Sequence, residues 1–182
     1  MNIVQKNCRL PFSSPTKELA EQLTSRLENG GLAQIVSLKG GSRTWFALSC
    51  LGHFLNTTTA DPPLFLWLSN EGELYPEALY HYWGIPLSRM LMIKAPSSEE
   101  VWRTSLDAVQ TGLFTWVLVK AEQSGTPAQM RKLQLTAEKT RTKVLILCQS
   151  KLPHWTLKIS VKVPPEELIA ESESMKLCAS ST

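Results

Sequence analysis

The chain has 182 residues, 43% hydrophobic and 19% charged, with a formal net charge of +3. These are globular proportions at the length of one domain, which excludes disorder, collagen and coiled coil as the main state. The longest apolar runs, Leu64 to Leu68 and Trp116 to Val119, fall far short of the ~20 residues that span a bilayer. The opening MNIVQKNCRLPFSSP lacks the apolar core and small-residue cleavage site of an export signal, so a cytoplasmic protein is expected. Cys8, Cys50, Cys148 and Cys178 are scattered, with no C-x-x-C pair and no His at ligand spacing. That argues against a disulfide framework or zinc site and for free thiols. The basic excess is too small to announce nucleic acid by itself.

Ser14 to Gly30 opens on a cap and a first-turn proline, carries Leu19, Leu23 and Leu27 on one helical face, and closes on Asn29-Gly30. It predicts an amphipathic helix. Short, nearly continuous apolar runs follow at Gln34 to Leu38, Pro63 to Ser69, Met90 to Lys94, Thr115 to Lys120 and Lys143 to Cys148. Such runs fit strands buried on both faces of a parallel sheet. Helical stretches separate them at Thr44 to Leu55, Pro76 to Trp83, Ser98 to Gln110 and Pro127 to Thr140. Ser97 with Glu100, and Thr126 with Gln129, have the spacing of helix-capping pairs. The alternation predicts an α/β fold with a mostly parallel sheet covered by helices on both sides. Thr156 to Val163 would add an edge strand, and the polar segment after Pro164 a short helix and a frayed tail. The expected organisation is an arm and helix over residues 1–31, a core over 32–163 and a partly flexible segment over 164–182.

Ligands of such sheets collect at the carboxyl ends of the strands. The residues leaving them here include Lys39 to Thr44, Asn70 to Glu73, Lys94, Lys120 and Gln149 to Lys151, a mostly cationic set. Gly40, Gly41, Ser42, Arg43 and Thr44 have the placement of a phosphate-binding loop, strand then glycines then helix. A working loop needs G-x-x-x-x-G-K-[ST], and Ser42-Arg43-Thr44 stands where Gly-Lys-Thr would be. Arg is a poor substitute for a compact ammonium. The plain alternative is a glycine turn that only starts a helix. Phosphoryl transfer also needs magnesium, usually steadied by an Asp ending a second core strand. That strand ends in Lys120, and Asp61 and Asp107, the two aspartates among 16 acidic residues, are not placed to serve. No ATP hydrolysis, no metal and no cofactor are expected.

From Leu32 to Val163 these residues resemble the RecA-like core. WLSNEGELYPEALYHYWGIPLSRMLMIKAP resembles that family's run from second strand to third, which implies for Glu71 the position of the water-activating glutamate. LILCQ implies for Gln149 the position of the nucleotide-sensing glutamine. The resemblance implies a degenerate nucleotide site: Arg43 at the position of the phosphate-loop lysine and Lys120 at that of the magnesium aspartate. The links Ala121 to Gln129 and Ser150 to His154 are short for the loops with which RecA recombinases hold single-stranded DNA, leaving DNA a weak candidate.

Degenerate chains of this kind resemble two bacterial groups. One is ImuA, an accessory factor of SOS-induced translesion DNA synthesis and mutagenesis that works with the polymerase-like ImuB and a DnaE-type polymerase. The other is SulA, the division inhibitor that binds FtsZ. L-Y-P-E-A-L, G-I-P-L-S-R-M-L-M-I and M-R-K-L-Q-L-T-A-E look more like ImuA. This implies a non-catalytic protein of DNA repair acting through protein contacts with an ImuB-like partner, with RecA and the DnaE-type polymerase as further candidates. Self-association stays open. Leu10, Pro11 and Phe12 in the amino-terminal arm would contact a partner, a neighbouring subunit or the chain's own core. Of the six tryptophans, Trp155 is the best exposed candidate for base stacking and the rest read as core. Arg131, Lys132, Lys139, Arg141 and Lys143 form a basic rim, read first as a solvated helix face.

Overall fold

Strands form where the chain offers short apolar runs in the computed structural model, which describes residues 14–36, 40–57, 63–72, 74–148 and 160–162. In chain order the elements are α1 (Ser14–Arg26), β1 (Gly31–Val36), α2 (Gly40–Thr57), β2 (Phe65–Ser69) and α3 (Pro76–Trp83). A 3-10 turn (Leu87–Arg89) leads into β3 (Met90–Lys94), then α4 (Ser98–Thr111), β4 (Trp116–Lys120), α5 (Pro127–Thr140), β5 (Lys143–Cys148) and β6 (Ser160–Lys162). The six strands make a sheet in the order β3-β2-β4-β5-β1-β6, and every pair is parallel. The expected α/β class, a parallel sheet flanked by helices, is therefore present.

Successive strand residues point to opposite faces, and two cores follow from that alternation. Ala33, Ile35, Phe65, Trp67, Trp116, Leu118, Leu145 and Leu147 meet the apolar faces of α1, α2 and α3. Leu32, Leu66, Leu68, Val117, Val119, Val144 and Ile146 meet Val101, Trp102 and Val109 of α4 and Met130, Leu133 and Ala137 of α5. Leu23 and Leu27 of α1 are buried as their spacing predicts. Trp67, Trp83, Trp102 and Trp116 are buried too, which bears out their core reading, while Trp155 lies outside the described residues.

One expectation fails. Met90 to Lys94 is not buried on both faces: Leu91 and Met92 are 49% and 39% exposed. The physical reason is position, since β3 pairs only with β2 among the described strands and lies at the end of the sheet. Several boundaries also move, most clearly the starts of β1 and α2. β1 starts three residues earlier, because Gly31 is in register with Lys143 and its N–H donates to the Thr142 carbonyl at 3.0 Å. α2 starts at Gly40 rather than Thr44. The caps read from the sequence are present: Ser97 Oγ accepts from the Glu100 N–H, and Thr126 and Gln129 make a reciprocal capping box.

The turn from α1 into β1 depends on Gly30. Its φ is +81°, and a Cβ there would lie 2.6 Å from the Ala137 carbonyl oxygen and from Arg141 Cα, both backbone. Gly84, the αL residue after α3, also has a positive φ of 64° but open space around it. Gly84→Ala should cost about 1 to 2 kcal/mol from backbone strain alone. Gly30→Ala should cost clearly more, because backbone must also move. Urea denaturation of the two variants measures the difference, and equal losses would contradict the close approach.

Candidate functional site

The carboxyl edge of the sheet is built by register. Ser69 at the end of β2 is level with Lys94 of β3 on one side and Lys120 of β4 on the other. Immediately after β2 the chain is pinned: the Ser69 hydroxyl donates to the Glu71 carbonyl at 2.6 Å, and the Glu71 N–H donates back to Ser69 Oγ at 2.9 Å. This turn brings Glu71 to Lys120, with Oε2 3.7 Å from Nζ. Both side chains are largely shielded, at 27% and 18% exposure. The two residues named from the sequence thus meet as an ion pair worth up to about 1 kcal/mol at such a partly exposed place.

Asn70 ties three segments together at this edge. Its Nδ2 donates to Ser98 Oγ at the start of α4 (3.2 Å), and its Oδ1 accepts the Glu122 N–H from the loop after β4 (3.1 Å). Ser98 Oγ also accepts the Gln123 N–H at 3.1 Å, and the Trp102 indole donates to the Gln123 carbonyl at 3.0 Å. Glu122 is thereby held through its backbone while the residue itself is exposed. Sequence reasoning named Asn70 among the residues leaving β2 but gave it no role, since its only signal was its place directly after a core strand. Asn70→Ala removes both bonds, one part-buried and one at an exposed amide, and should cost about 0.5 to 1.5 kcal/mol, the net worth of an ordinary hydrogen bond. Chemical denaturation measures this, and a loss below a few tenths would mean that water replaces the side chain freely.

Gly40 to Arg43, read from the sequence as a degenerate phosphate loop, form the first turn of α2. Arg43 is only 4% exposed, and among the described residues its Nε has no hydrogen-bond partner. Thr44 is half-buried on the same turn. The side chains of Gly40, Gly41 and Ser42 are outside the described residues, as are Gln149 and the arm residues Leu10, Pro11 and Phe12. Among the described residues, no group of three His, Cys, Asp or Glu could hold a metal ion, and no helix is long and apolar enough to cross a membrane. Asp107 is exposed on α4. Burial pushes the Cys50 thiol far up, which keeps it an inert core group.

A second concavity, about 420 Å³, opens at the opposite, amino end of the strands between α1 and α2. Its wall includes Glu21, Glu28, His53, Phe54 and Lys143. Lys143 is read from the sequence as part of a solvated rim, yet it is 8% exposed and its Nζ lies 5.2 Å from the Phe54 ring centre and 5.7 Å from that of Trp116. The correction has a simple cause: Lys143 is the first residue of a central strand. Burial lowers its pKa, opposed by the Glu28 carboxylate. The unfolded chain therefore holds more protons between the lowered folded value and 10.5, and stability contributed by this group rises with pH across that window. Lys143→Met should remove that rise. Urea midpoints of both chains between neutral and alkaline pH should converge as pH increases; parallel curves would contradict the desolvated ammonium.

Comparison with known proteins adds one finding. No protein-family profile matches the chain, and no curated protein matches it. Among solved structures it is similar to the crystal structure of SulA from Pseudomonas aeruginosa, at 20% identity and a TM-score of 0.49, over 65% of this chain and 98% of that one. The likeness assigns neither activity nor partner to this chain.

Proposed function

We propose that this protein is a non-catalytic accessory factor of the SOS response, built on a RecA-like sheet and acting by holding another protein. The observation that carries the reading is the Lys120–Glu71 ion pair. A metal-assisted phosphoryl transfer needs a carboxylate steadying a cation at the end of a core strand and a free carboxylate to direct water. Here a fixed ammonium ends β4, and the candidate water-directing carboxylate is spent neutralising it. Support comes as well from Arg43, which stands in the first turn of α2 where a phosphate loop would carry a compact ammonium. Exposed aromatic residues fit a protein-binding role: Tyr75, Tyr80 and Tyr82, in and beside α3, are 77%, 54% and 43% exposed, and tyrosine is enriched in protein interfaces.

Within this reading the finer assignment is ImuA-like: an ImuB-like polymerase homologue is the partner, in translesion synthesis. Mg-ATP should leave the thermal midpoint unchanged, and phosphate release should equal that of Glu71→Gln. A rise of several degrees that disappears in Arg43→Ala would overturn the non-catalytic reading. Capture of a purified ImuB-like protein, weakened in Tyr75→Ala/Tyr80→Ala, is the result expected for the partner. Failure to capture it, together with a block of FtsZ assembly followed by light scattering, would assign the chain to the division-inhibitor class instead.

A further inference from the structure

Among the described strands β3 ends the sheet on one side, and its chemistry is unusual for an edge. Edge strands are normally blunted by inward charges, proline or a bulge, because their outward N–H and C=O groups template pairing with another chain. Within β3 the last residue, Lys94, is the one charge, and the run Met90-Leu91-Met92-Ile93 before it carries neither charge nor proline. Leu91, level with Leu66, lies on the α4 and α5 side, and Met92, level with Trp67, on the α1 to α3 side. Apolar surface is thus exposed on both faces of the same edge. A positive residue stands at each end, Arg89 before the strand and Lys94 at its close.

The sequence beyond β6 contains a segment of matching chemistry. Glu166-Glu167-Leu168-Ile169-Ala170-Glu171 places apolar residues between carboxylates. Glu166 and Glu171 are five positions apart, as are Arg89 and Lys94. No proline interrupts it, so every amide N–H can join a ladder. A free peptide this short holds little helix in water, so its helix-favouring residues do not prevent an extended bound form. The chain's own edge is out of reach. β6 and β3 are opposite ends of the sheet, about 24 Å apart at ~4.8 Å per strand spacing. Only Val163, Pro164 and Pro165 separate Lys162 from Glu166, a span of at most about 14 Å fully extended.

We propose that the Glu166–Glu171 segment of one copy adds as a strand to the β3 edge of a second copy, joining subunits head to tail. Such a contact is heterologous, so it repeats without closing unless the rotation between subunits happens to make a ring. Antiparallel pairing of two β3 strands about Met92 is the competing arrangement. It sets Arg89 of one copy opposite Ala95 of the other and Lys94 opposite Met90, so it gains no opposite-charge pair, whereas the tail segment brings a carboxylate to each end. The inference does not depend on which partner the protein serves or on the state of its nucleotide site.

A labelled peptide covering Pro165 to Met175, titrated into the full chain carrying Leu168→Asp so that its own tail does not compete, tests the contact. Saturable binding is expected, lost on scrambling, lost on N-methylation of Ile169 or of its neighbour, whichever N–H faces the edge, and weakened roughly tenfold or more by Leu91→Asp. Charge reversal of Arg89 and Lys94 to Glu should weaken it and be rescued by a peptide with Lys at Glu166 and Glu171. Circular dichroism checks that the edge variants fold. In sedimentation velocity the unaltered chain should form species larger than a dimer as concentration rises, and Leu168→Asp should remain monomeric. Absence of peptide binding overturns the proposal. So does peptide binding by a chain that stays monomeric, which would put the segment on its own edge, or a dimer that survives Leu168→Asp but not Leu91→Asp, which would mean β3 pairs with β3.

Discussion

A parallel sheet hides its backbone only if both faces are covered, and that constraint organises the rest of this chain. β1, β2, β4 and β5 are buried along almost their whole length because helices α1, α2 and α3 cover one side and α4 and α5 the other. Each crossover must return to the amino end of the sheet, so all the strands point one way and all their carboxyl ends form one edge. Residue chemistry at that edge is then a matter of which side chain follows each apolar run. Lys94, Ser69 and Lys120 come level because their strands do.

What holds the loops of that edge is a small polar network. Asn70 and Ser98 each satisfy two groups from segments distant in sequence, and Trp102 covers the network while donating its own N–H into it. Gly125 allows this closure, since a Cβ there would meet Met130 Sδ at 2.8 Å and the Trp102 ring at 3.0 Å. Loops that must admit a nucleotide and respond to it are drawn from the less stable parts of a fold. Here the loops after β2 and β4 are bound to each other and to the start of α4.

The elements were largely legible in the sequence because their signals are local. α3, β3, α5 and β5 have the bounds their patterns predict, and both capping pairs form, since apolar run length, proline and capping spacing act within a few residues. Glu71 and Lys120 were singled out separately, Glu71 by a resemblance and Lys120 by its place at the end of a core strand, and the geometry brings them together. Strand order was not legible, because no local pattern says which of several apolar runs will lie at an end, and so the exposure of Leu91 and Met92 was missed. Lys143 was missed for a related reason. Next to Arg141 and Lys139 it reads as a charged rim, and only the central position of β5 puts its amine over two aromatic rings.

These features move the centre of recognition away from the place the fold type suggests. At the carboxyl edge the described loops after β2 and β4 satisfy each other, and Lys120 has its own counter-charge. At the amino end, the aromatic platform of Phe54 and Trp116 is occupied by the chain's own Lys143 ammonium. Among the described residues, exposed aromatic and apolar side chains are found instead in and beside α3, at Leu87 and on β3. Burial of such surface is non-directional and adds with area, whereas the hydrogen bonds of a strand edge fix register. A sheet that offers both along one side can bind tightly and in one orientation without any chemistry at its strand ends.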